Sequence, residues 1–123
     1  MGKIQHFRQL KAWQEAHKLV LMTYRITTGF PSDERFGLIS QMRRAAVSVP
    51  ANIVEGFKRR GIQDKIHFYN IAEGSLEELK YFFILSGDLD YISSRADLMT
   101  QSETVGRLLH GLINSTRRRQ GST

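Results

Sequence analysis

The chain has no cysteine and two prolines in 123 residues. Without cysteine, disulfides and thiolate metal sites are excluded, as suits a reducing cytoplasm. No apolar run approaches the roughly 20 residues of a membrane span; the longest, Tyr81 to Leu85, is five. The opening MGKIQHFRQLKAW lacks the apolar core of a signal peptide, so the expected location is cytoplasmic, with no membrane partner. Catalytic signatures are missing too. There is no HExxH, no pair of Glu-x-x-His motifs for a di-iron bundle, and no GxSxG, Walker loop or GxGxxG. The four histidines, His6, His17, His67 and His110, are scattered, and Asp64 with His67 makes only a lone pair of ligands. Glu73, Glu77 and Glu78 read as salt-bridge partners or solubilising groups on a charged face. The chain is therefore expected to be no enzyme and to need no metal or cofactor.

What is present is an ordinary globular composition, 41% hydrophobic and 24% charged, with a formal charge of +6. The charge is uneven. Residues 1–63 carry 11 Lys/Arg against 4 Asp/Glu, residues 64–97 carry 3 against 7, and residues 98–123 carry 4 against 1. Such a protein can attract polyanions, and its acidic middle can attract its own basic parts. The plainer reading is that charge only keeps it soluble.

Apolar spacing predicts four helices and no strands. The first runs from about His6 to Thr28 on Leu10, Trp13, Ala16 and Val20, and Gly29-Phe30-Pro31 ends it. The second runs from about Asp33 to Arg60, with Leu38, Met42, Ala45, Ala46, Val49, Ile53 and Phe57 on one face and Gly56 also in the core line. The third spans about Gln63 to Tyr91, with Phe68, Ala72, Ser75, Leu79, Phe82, Phe83, Ser86 and Leu89 inward. The fourth opens at Ser94, with Asp97 completing a capping-box-like pair, and ends near Thr116. Short connections imply an all-α, up-and-down four-helix bundle over residues 1–116, followed by a frayed basic tail, 117–123.

Two features exceed what a lone bundle needs. Tyr81-Phe82-Phe83-Ile84-Leu85 puts apolar side chains at every angle around the third helix, and Leu19-Val20-Leu21-Met22 does the same on the first. Either one core is overfilled, or Leu21, Ile71, Tyr81 and Leu85 form a second surface for self-association. The second feature is Pro50, which removes a helical donor and crowds the Ala46 carbonyl, so a kinked second helix is expected. Beside its core face runs a polar line, Gln41, Arg44, Ser48, Asn52 and Glu55. Ser48 and Asn52 can bond backbone freed at the kink. Arg44 and Glu55 can pair with each other or reach the acidic third helix through Glu77 or Glu78; the alternative is a solvated edge with no defined partners.

The basic clusters are Arg43-Arg44, Lys58-Arg59-Arg60 and Arg117-Arg118-Arg119. Arg43, Lys58 to Arg60 and Arg117 to Arg119 are the candidate phosphate contacts to RNA or DNA. The competing reading is favourable charge at two helix C-termini. No helix-turn-helix or RNA-recognition motif supports reading of bases.

QMRRAAVSVPANIVEGF and IAEGSLEEL, with FRQLKAWQEAHKL and TGFPSDERFGL, resemble the 23S rRNA intervening-sequence protein family over about residues 7–115. The resemblance implies a four-helix bundle assembled as a homopentamer, with no established enzymatic activity. The chain is also similar to the accessory variability protein of diversity-generating retroelements, a basic pentamer that binds a reverse transcriptase and nucleic acid. That likeness implies the chain itself, RNA or DNA, and a reverse transcriptase as partners.

Overall fold

A computed structural model describes residues 3–121, and side chains through Arg119. The helices are α1 (Lys11–Thr27), α2 (Leu38–Lys58), α3 (Ile62–Asp88) and α4 (Ala96–Gly121), and no strand occurs among the described residues. Sequential neighbours pack together, α4 closes back on α1, and the α2–α3 contact is the most extensive. α1 and α3 therefore stand on one diagonal of a square, α2 and α4 on the other. This is the expected up-and-down bundle. At 1.5 Å per residue, the 27-residue α3 is about 40 Å long.

The ends of the helices depart from the expectation for local reasons. Phe7–Gln9 form a separate 3₁₀ turn rather than the start of α1. His6 Nδ1 accepts from the Arg8 amide, and Gln9 Oε1 accepts from the His6 amide, so the turn closes on itself. Leu10 is then extended and α1 begins at Lys11. α2 likewise starts at Leu38, because Ser32–Glu34 are spent on their own 3₁₀ turn. α3 stops at Asp88. Asp90 takes a left-handed conformation (φ 61°), and the Tyr91 amide reaches back to the Ser86 carbonyl, a Schellman-type close with Asp where glycine is usual. Ser94 Oγ accepts from the Ala96 amide as a cap, but Asp97 makes no reciprocal bond among the described residues. α4 runs past Thr116 through Arg117–Arg119 to Gly121. Arginine is a good helix former and its charge is favoured at a C-terminus. The expected change of state at Arg117 is thus absent as far as Gly121; residues 122–123 lie outside the described chain.

The core matches the sequence best in α2, where Leu38, Met42, Ala45, Ala46, Val49, Ile53 and Gly56 are buried and Phe57 is only partly so. The helix continues unbroken through Pro50, itself buried. In α1 the buried line is Ala12, Ala16, Leu19, Thr23 and Thr27, rotated from the expected one; Leu10, Trp13 and Val20 flank it. The threonines can be buried because each hydroxyl donates to the carbonyl four residues back, Leu19 and Thr23, both at 2.8 Å. Trp13 lies at the border, stacked on the exposed His17 with ring centroids 5.1 Å apart. In α3, Tyr69 and Leu76 replace Phe68 and Ser75 in the core, while Leu89 is exposed. In α4, Ser102 and Thr116 join Leu98, Val105, Leu109 and Ile113 inside, and Leu108 and Leu112 are only partly buried.

Candidate nucleic-acid interface

The antiparallel arrangement gathers charge that is scattered in sequence. One end of the bundle collects the starts of α1 and α3 and the ends of α2 and α4. It carries Lys3, Arg8, Lys11, Lys58, Arg59, Arg60, Lys65, Arg117, Arg118 and Arg119, against Glu55 and Asp64. An antiparallel bundle has two helix N-termini and two C-termini at either end, so its macrodipoles favour neither sign. Lys11 opens α1, whose first turn has no acid, and Lys65 lies near the start of α3. Cations there oppose the local dipole. Favourable charge at C-termini accounts for Lys58 and the Arg117–Arg119 run, but not for this end as a whole.

The candidate contacts fall into three groups. Lys58, Arg60, Arg117 and Arg118 are exposed and make no ion pair among the described residues. Arg119 is exposed beside a cavity that also contacts Lys65 and Lys3. Arg43 and Arg59 are engaged inside the chain. Arg43 lies toward the opposite end, where its Nε donates to Thr27 Oγ1 at 2.9 Å and its guanidinium sits over the Tyr24 ring. It pins α2 to α1. Arg59 pairs with Glu55 at 3.4 Å and covers the Phe68 ring.

Lys65 was not singled out from the sequence. Its Nζ donates to the carbonyls of Gly56 (3.3 Å) and Phe57 (2.8 Å), capping the end of α2. Burial, with Arg119 nearby, lowers its pKa from the usual lysine value. The signal available in sequence was its spacing of four from Tyr69, which puts both on one side of α3. That side becomes visible only once Tyr69, not Phe68, is known to be buried.

The expected polar network exists only at its centre. Ser48 and Ser75 hydroxyls share a hydrogen bond at 2.7 Å between α2 and α3, and Asn52 Nδ2 donates to the Ser48 carbonyl (2.8 Å) and hydroxyl (3.0 Å). The carbonyl served is Ser48's, not that of Ala46. Glu55 pairs with Arg59 one turn along, not with Arg44. Gln41 and Arg44 are exposed and line a groove with Ser48, Ser75 and Glu78, with no ion pair there. Long side chains on an open edge keep their water; the short ones pair.

Of the four candidate interface residues, Leu21, Ile71 and Tyr81 are exposed, Tyr81 by 58%, whereas Leu85 packs against the core. Ile84, also exposed, takes its place on the outer side of α3. Among the described residues no helix is long and apolar enough to cross a membrane, and no three His, Asp or Glu residues cluster as metal ligands.

An up-and-down bundle with one cationic end defines a class of small helical protein rather than an active site. Residues 8–111 match the 23S rRNA-intervening sequence protein family, and the chain belongs to it. No curated protein matches. A crystal structure of a protein of unknown function from the S23 ribosomal protein family of Bacteroides thetaiotaomicron is similar, with 21% identity and a TM-score of 0.74. The match covers 84% of this chain and 95% of that one, and it supports the fold.

Proposed function

We propose that this protein is a non-enzymatic helical scaffold that self-associates and binds RNA or DNA through the cationic end of its bundle. The observation that carries the reading is the concentration of cations there without matching carboxylates, including positions where helix dipoles disfavour them. Such a surface contacts phosphates and fixes a nucleic acid in place without reading its bases. Self-association is supported by the exposed apolar residues Leu21 on α1 and Ile71, Tyr81 and Ile84 on α3. These helices occupy opposite corners, so a contact of one corner with the other is heterologous, and heterologous contacts that close make rings. The homopentamer expected from the family is such a ring. Repetition of the cationic end around it lets weak sites combine. The most specific version, an accessory role beside the reverse transcriptase of a diversity-generating retroelement, is supported by the family resemblance alone.

The test is salt-titrated binding to RNA, single-stranded DNA and duplex DNA. Binding is expected to weaken with a log–log slope of about −0.7 to −0.9 per phosphate contact. Changing Lys58, Arg60, Arg117 and Arg118 to Gln should flatten that slope while light scattering shows unchanged assembly. Absence of binding to all three at low salt removes the nucleic-acid reading. A second reading, a pure protein-interaction scaffold, is favoured by Phe36, which is 90% exposed beside Tyr24 and Val47. It predicts that Phe36→Ser disrupts a protein complex and leaves polyanion affinity unaltered.

A further inference from the structure

We propose that a cavity at the cationic end binds a phosphate monoester, with Lys3, Lys65 and Arg119 as its cations and the Tyr69 hydroxyl as a neutral donor. The cavity is about 400 Å³, within the size range of small-molecule sites. It forms where the segment before α1 meets the end of α2, the start of α3 and the end of α4. Its described lining contains no carboxylate, and its apolar wall includes Phe57 and Leu112. The chemistry is that of a charged head on a flat or greasy body.

Tyr69 makes this more than a surface of one charge. The residue is 2% exposed. Its hydroxyl makes no hydrogen bond among the described residues, yet it is not sealed; what it reaches is the cavity it lines. A buried phenol ordinarily finds a partner for its O–H. Burial pushes its pKa up to about 12, so it is a donor at neutral pH. Its position is fixed by Gly56, where any Cβ would lie 2.5 Å from Tyr69 Cε1. The ring can lie there because α2 has a glycine at that point.

The cations lie around one cavity and keep donors for a ligand. Two Lys65 protons are used on the Gly56 and Phe57 carbonyls, and an ammonium has three. The third is available to a ligand. Lys65 and Arg119 are close enough that the Arg119 charge helps lower the Lys65 pKa; a bound anion relieves that repulsion. A guanidinium has five N–H donors, so Arg119 can serve a ligand beside another partner. Three cations and a hydroxyl suit a dianion with three terminal oxygens better than a carboxylate with two.

The monoester has two sources, a free nucleotide or the phosphorylated end of a strand, and only the second rests on the nucleic-acid reading. The full chain should be titrated with adenosine monophosphate and adenosine, and with single-stranded oligonucleotides bearing a 5′-phosphate or a 5′-hydroxyl. Adenosine monophosphate is expected to bind about tenfold or more tightly than adenosine, the size of one charge-assisted hydrogen bond or better. If the source is a strand end, the 5′-phosphate gains by a similar factor; if it is a free nucleotide, the two oligonucleotides bind alike. Tyr69→Phe keeps the ring against Gly56, and Lys3→Gln alters an exposed side chain; each should cut the monophosphate preference severalfold with unchanged circular dichroism. Equal binding of nucleotide and nucleoside, or a preference untouched in Tyr69→Phe, overturns the proposal even if oligonucleotides still bind. Oligonucleotides failing while the nucleotide binds supports the cavity and removes the nucleic-acid reading instead.

Discussion

The two ends of this bundle have the same helical architecture and different electrostatics, one cationic and one close to balanced. At the end holding the α1–α2 and α3–α4 connections, the two signs are nearly balanced, with Arg25, Arg35, Arg43 and Arg95 against Asp33, Glu34, Asp88, Asp90 and Asp97. Arg95 pairs with Asp88 at 3.3 Å, and Glu34 accepts from the Tyr91 hydroxyl at 2.9 Å, beside the packed rings of Phe30 and Tyr91. At the other end, Arg59–Glu55 is the one ion pair among the described residues, and most cations face solvent or the cavity. Since the helices close equally well at both, the positive excess is not something the fold requires. It is a property added to one end.

Two glycines sharpen the contrast. At both Gly56 and Gly87 an added Cβ meets an atom at 2.5 Å. At Gly56 that atom belongs to the buried Tyr69 ring, with the Lys65 carbonyl at 3.0 Å behind it; at Gly87 it is the far end of the long, exposed Arg95 side chain. Gly56→Val should therefore cost about 3 kcal/mol in chemical denaturation through overpacking, and a loss below about 1 kcal/mol would mean that the cationic end is loosely packed. The next effect concerns Tyr69. Its folded-state pKa lies above the unfolded value of 10.0, at about 12. Folding thus favours the protonated phenol. The stability this confers is complete below pH 10 and disappears as pH rises through about 12. Against Tyr69→Phe, the native protein should lose on the order of 1–2 kcal/mol more across that window. Lys65 works in the opposite sense but is common to both proteins, so the difference isolates the phenol. Parallel pH–stability curves would disprove it.

Smaller effects separate structural from solvent-facing arginines. Arg43→Ala, which loses the Thr27 bond and the Tyr24 stacking, should cost about 1 kcal/mol of stability with little change in nucleic-acid affinity. Arg60→Ala should do the reverse. A matched pair of thermal melts and binding isotherms decides. Smallest is Gly87→Ala, where helix propensity should outweigh the displaced Arg95 tip and raise stability by about 0.5 kcal/mol. A drop would show that Arg95 is held as firmly as the opposite end holds Tyr69.

The sequence made α2 legible because its inner face is written entirely in apolar residues and glycine, from Leu38 to Gly56. α1 was less legible. Thr23 and Thr27 look polar, and only their self-directed hydrogen bonds let them turn inward. Helix boundaries failed where side chains or backbone conformations cannot be foreseen from periodicity, as with the His6–Gln9 turn and the left-handed Asp90. The candidate site was half visible. Lys58, Arg60, Arg117 and Arg118 announce themselves as runs. Lys65 does not, because its role depends on which aromatic of Phe68 and Tyr69 is buried. Arg43 and Arg59 illustrate the converse, since a charge run says nothing about a ring lying under one of its members.

The inward hydroxyls have one more implication. Thr23, Ser102 and Thr116 each donate to a carbonyl of their own helix and, among the described residues, bond nothing on another element. Exchanging such a residue for valine or alanine strands no group on a neighbour, so these sites can drift singly, without a compensating change elsewhere. An interior built this way imposes few pairwise rules on its lineage. That is one physical route by which a shape can outlast most of its spelling, as between this chain and a structure sharing 21% of its residues.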